Sequence, residues 1–126
     1  MLMAYGFLRR VFEIFEQYKT PIDMITTSEV AVSVTIDSDQ YLPQIEAELR
    51  KFVTIEVDRN QTIVCIVGQK ITKQKGVLDK IFSSLGNIPI RMVSCGGSYN
   101  NVSILVDTSL KEQVLISLNE DLFGLS

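Results

Sequence analysis

The chain has 126 residues, 46% of them hydrophobic and 21% charged, which suits one ordinary domain or two very small ones and is too apolar for a disordered segment. Twelve basic residues against fifteen acidic ones leave a net charge of −3, and no dense Lys/Arg cluster offers phosphate a basic surface, which argues against a nucleic-acid partner. The absence of histidine removes Ser-His-Asp and Cys-His catalysis and most zinc sites.

The opening MLMAYGFLRRVFEIF is apolar, but Arg9 and Arg10 fall inside it and its apolar spacing is helical. A signal peptide places its positive charge first and a longer apolar core after it. No apolar run approaches the roughly 18 residues of a membrane span, so the reading is a cytoplasmic protein with no membrane partner. Cys65 in TIVCIVG reads as a small buried thiol and Cys95 as structural, because a disulfide is not expected in a reducing compartment.

In chain order, GFLRRVFEIFEQYK (6–19) repeats apolar residues at Phe7, Leu8, Val11, Phe12, Ile14, Phe15 and Tyr18, which predicts an amphipathic helix ended by Thr20-Pro21. Residues 22–26 and 30–37 read as strands, the second alternating with period two in AVSVTI. Ser38-Asp39 caps a helix over about 40–52, with Pro43 in its first turn, where the missing N–H costs nothing. Residues 53–58 alternate again and read as a strand. Then come a strand at 62–67, a solvated basic connection KITKQKG, a helix at 76–85, strands at 90–94 and 102–107, and a helix at 110–122.

The second half restarts the first. Gly6-Phe7-Leu8 and Val11-Phe12 correspond to Gly76-Val77-Leu78 and Ile81-Phe82 seventy residues on, and Val32-Ser33 and Asp37 to Val102-Ser103 and Asp107 at the same offset. Pro21-Ile22 and Met24 match Pro89-Ile90 and Met92 at an offset of 68. This tandem duplication predicts an α+β protein of two ferredoxin-like βαββαβ units, 1–59 and 60–126, with antiparallel sheets and helices on one face. The first unit lacks its first strand and the second its last, so the chain reads as a fragment whose upstream sequence supplies both, and the open edges favour pairing between chains.

The polar cluster Thr26-Thr27-Ser28-Glu29 joins two strands without Gly or Pro, the usual turn formers. A helix start near Gly6 offers free N–H groups to a carboxylate, and Asp23 and Glu29 offer negative charge to an ammonium, a combination that suits a free amino acid. On pattern alone three plainer readings stand beside it. Asp23 can be a solvated surface residue, the Thr/Ser run can satisfy local backbone groups, and Gly6 can be a helix-start glycine.

The run MLMAYGFLRRVFEIFEQYKTPIDMITTSEVAVSVTID resembles the start of the regulatory region of aspartate kinases, most strongly in DMITTSEVAVSVTID, and the second half resembles their second regulatory unit. The resemblance covers nearly the whole chain and implies a tandem pair of ACT domains most similar to lysine-sensitive forms. It implies an effector site formed by Met1, Gly6, Leu8, Ile22, Asp23, Thr27, Ser28 and Glu29. Asp23 and Glu29 would face the ammonium groups of lysine, and Ser28 with backbone N–H groups would take its carboxylate. Threonine-binding and purely oligomerising ACT pairs are the alternatives. The family further implies a homodimer through paired first units with effectors at the seam, and an upstream kinase domain, absent here, that phosphorylates the carboxyl of aspartate and holds ATP and Mg. No cofactor and no catalytic residue are expected in the fragment itself. Lysine-sensitive members commonly read MLHSRGFL; here Met3 and Ala4 replace a His and a Ser, removing two polar partners.

Overall fold

The structure is a computed structural model and describes residues 6–28, 31–95 and 99–123. It divides into two compact units, residues 1–57 and 58–126, each antiparallel sheet plus helices.

In the first unit, α1 (Phe7–Gln17) buries Val11, Ile14 and Phe15, the stripe predicted from their spacing. Gly6 precedes it with φ 82°, in the left-handed region, and nothing lies within 4 Å of where its Cβ would stand; the backbone angle, not crowding, calls for glycine there. The helix ends in a Schellman motif: the amide of Thr20 donates to the Phe15 carbonyl at 2.9 Å and that of Lys19 to the Glu16 carbonyl at 3.0 Å. Lys19 takes the left-handed position of that motif with φ 50°. The chain then reverses into β1 (Ile22–Thr27), which pairs antiparallel with β2 (Val32–Ile36). A second helix, α2 (Leu42–Leu49), carries Pro43 in its first turn and buries Ile45 and Leu49 against Val11, Ile14 and Phe15.

Residues 53–58, expected as a strand, form none. Val53 and Ile55 do pack against the core, so the alternating apolar pattern serves burial. A strand also needs a ladder partner. In a βαββαβ sheet the last strand pairs with the first, and among the described residues no strand precedes α1.

The second unit shows the complementary case. Its three-stranded sheet has the order β3 (Gln61–Val67), β5 (Asn101–Asp107), β4 (Met92–Ser94), so β5 is central and one edge of β3 has no neighbour among the described strands. Val102, Ile104 and Val106 alternate onto the face covered by α3 (Val77–Leu85) and α4 (Lys111–Phe123), packing on Ile81, Leu85, Val114 and Leu118. Such side chains stabilise by about 1.5–3 kcal/mol each when fully buried. The basic connection is not wholly solvated: Ile71, in a 3₁₀ turn over Ile71–Lys73, is buried in this core. Asp107 opens α4 through a further 3₁₀ turn; hydrogen bonds from the Ser109 amide and then its hydroxyl hold the Asp107 carboxyl below the usual carboxylate range.

The expectation of a buried Cys65 is corrected. Alternation along β3 turns Val64 and Ile66 to the core and leaves Cys65 exposed on the other face, where its Sγ lies 3.4 Å from the Ser103 hydroxyl. Among the described residues no helix is long and apolar enough to cross a membrane.

Candidate functional site

Six of the eight residues named from the sequence are described; Met1 and Glu29 lie outside the described residues. Gly6 and Leu8 stand at the start of α1, where the first-turn amides lack helical partners and Leu8 is 37% exposed. Ile22 and Asp23 open β1, half-buried and exposed respectively. Thr27 closes β1 and Ser28 follows it, both exposed. The strand therefore runs further than expected, through Thr27. The Ser28 amide donates to the Ala31 carbonyl at 2.8 Å, which ties the end of β1 to the approach to β2.

These residues fall into two groups. The chain reverses after α1, and an open groove of about 630 Å³ is lined by Phe12, Phe15, Glu16 and Lys19 of the helix side with Ile22 and Ile25 of the strand. The end of α1 thus lies along the start of β1. Ile22 and Asp23 occupy the start of β1, and Thr27 and Ser28 its end. At about 3.3 Å per residue, Asp23 and Thr27 are about 13 Å apart along the strand. The strand therefore sets the Asp23 carboxylate apart from the hydroxyls of Thr27 and Ser28 at its other end.

Asp23 has a second property that no sequence pattern revealed. Ile22 pairs with Ile36 but Met24 pairs with Thr35, so two steps on β1 match one on β2 and Asp23 is the extra residue of a β-bulge. Beyond it, Ile25 and Thr27 lie opposite Val34 and Val32, while Met24 and Thr26 lie opposite Thr35 and Ser33.

The second unit carries the same backbone with different chemistry. Gly76 repeats Gly6, with φ 80° and the Lys80 amide donating to its carbonyl at 3.0 Å, as that of Arg10 does to Gly6. The counterpart of Asp23 is Arg91, whose guanidinium is ion-paired with Asp58 and whose amide donates to the Leu105 carbonyl at 2.8 Å. An arginine there offers nothing to an ammonium group. Among the described residues no cluster of His, Cys, Asp or Glu is arranged to hold a metal ion.

An α+β unit with a glycine-opened helix over an antiparallel sheet is the ACT-domain arrangement, and the ACT-domain family model matches residues 64–122. Among proteins of known function, lysine-sensitive aspartokinase 3 of Escherichia coli K12 is 35% identical over 98% of this chain and 29% of its own length. A candidate C-terminal regulatory domain of aspartate kinase from Porphyromonas gingivalis W83 superposes with a TM-score of 0.86 at 44% identity, over 97% of this chain and 84% of that one. E. coli aspartokinase III in complex with lysine and aspartate, in the T-state, superposes with a TM-score of 0.84 at 35% identity, over 98% of this chain and 29% of that one. The chain belongs to the family of aspartate kinase regulatory regions built from ACT domains. It spans about three tenths of the length of the E. coli relative.

Proposed function

We propose that this chain is the effector-sensing part of a cytoplasmic aspartate kinase and that lysine is its effector. The observation that carries the reading is the similarity, over 98% of the chain, to an aspartokinase structure whose bound ligands include lysine. The local chemistry supports it. Free amides at the start of α1 and the Ser28 hydroxyl suit a carboxylate. Asp23 and Glu29 supply negative charge for the two ammonium groups. Within one unit Asp23 stands at the opposite strand end from Thr27 and Ser28. Two chains pairing their first units side by side remove that separation, one chain's Asp23 meeting the other's hydroxyl cluster across the seam. Binding then biases the kinase domain of the parent protein, which transfers phosphate to the aspartate carboxyl, toward its less active state. Coupling of this kind is worth about 1–3 kcal/mol and requires different affinities in the two states.

The test is the thermal transition of the chain with lysine, threonine, methionine or no addition. Lysine at 100 times its Kd stabilises the native state by about 2.7 kcal/mol, and Ser28→Leu, which fills the pocket, removes the shift. A shift with threonine alone reassigns the effector. No shift with any of the three, in a chain that still dimerises, leaves a purely oligomerising ACT pair.

A further inference from the structure

The bulge at Asp23 is held by a side chain rather than by the ladder alone. The Met24 amide donates to the Thr35 hydroxyl Oγ1 at 2.9 Å, across the strand pair at the point where the register slips. Met24 is 6% exposed, so its amide has little access to water, and a buried N–H left without an acceptor is destabilising. A bulge also resets alternation: removing the extra residue would exchange the faces of every residue after it, Thr27 with Thr26 and Ile25 with Met24.

We propose that Thr35 is a positioning residue for the effector site, its hydroxyl fixing the bulge that sets Asp23 outside the strand alternation and assigns Thr27, not Thr26, to the face shared with Ile25. Thr35 does not touch the effector; it acts through Asp23 and the register of β1. The ligand half of this inference rests on the lysine reading above, and the backbone half does not. Valine at this position keeps the branched shape and removes the acceptor, whereas serine keeps the hydroxyl.

Two measurements on the 126-residue chain separate the halves. The first is hydrogen exchange at the Met24 amide, which needs no ligand. Exchange there speeds at least tenfold in Thr35→Val and returns toward the parent rate in Thr35→Ser, while the amides of β5 are unchanged. An unchanged Met24 rate in Thr35→Val overturns the proposal. The second is the ratio of lysine to norleucine affinity by calorimetry, since norleucine has the same α-groups and no ε-ammonium. Thr35→Val lowers that ratio at least tenfold and Thr35→Ser restores it. Equal weakening of both ligands marks mere loosening of the fold and overturns the positioning role. If the parent chain shows no preference for lysine, the effector reading fails, and the Met24 exchange still decides whether Thr35 holds the bulge.

Discussion

The two units are one backbone carrying two chemistries. Gly6 and Gly76 open their helices at φ 82° and 80°; one turn on, Val11 and Ile81 are buried, and beside them Phe12 and Phe82 are comparably exposed. The polar positions have separated: Asp23 against Arg91, Thr27 against Cys95, Ser28 against Gly96. Apolar and glycine positions keep the fold, because burial and the left-handed turn tolerate few substitutes. Exposed polar positions cost the fold little when they change, so they are free to distinguish a ligand site from a plain one.

That comparison can be broken at several points. The largest effect belongs to the shared core position. Ile81→Ala should cost about 3–4 kcal/mol, and Val11→Ala, which deletes two carbons instead of three, about 2 kcal/mol. Urea denaturation of each variant measures both, and a larger loss at Val11 would show that the first core is the less forgiving one.

Next comes the charge inversion between the units. Asp23→Arg installs in the first unit what the second carries at its counterpart position. Lysine affinity is expected to fall about 100-fold by calorimetry, which is about 2.8 kcal/mol at 1.4 kcal/mol per tenfold. The melting temperature should barely move, because the position is exposed. Undiminished binding would remove Asp23 from the site.

The smallest effect is at the helix ends. The first helix closes through Lys19 at φ 50°, where a side chain is disfavoured, while the third has Gly86 at φ 55° after it. Lys19→Gly should stabilise the chain by about 0.5–1 kcal/mol, the left-handed penalty less the extra freedom of glycine when unfolded. Gly86→Ala should destabilise by a similar amount, and paired thermal melts decide both. A neutral Lys19→Gly would mean that Lys19 makes a compensating contact.

Much of the fold was legible in the residues. The stripes of α1 and α3, the alternation of β2, the strands β3 and β5, the proline in the first turn of α2 and the repeat itself follow from spacing along the chain. Two features were not legible for one reason: a strand needs a partner, and a partner is not a local property. Residues 53–58 alternate as well as β2 does, yet form no ladder. IDMITT gives no hint that its second residue is extruded, because the bulge exists only in the register against β2. The candidate site divides along the same line. Gly6 was readable as a helix-start glycine, but its left-handed φ of 82° was not. The exposure of Asp23 in a bulge, and the assignment of Thr27 to the face shared with Ile25, were not.

The sequence by itself determined the helices, the apolar faces, the duplication and the residue types available to a ligand, because periodicity and glycine conformation act over a few residues. Only the tertiary structure decided which strands pair, where the register slips, and that Asp23 lies in a bulge at the far strand end from Thr27 and Ser28. Those are relations between segments that meet only when the chain is folded.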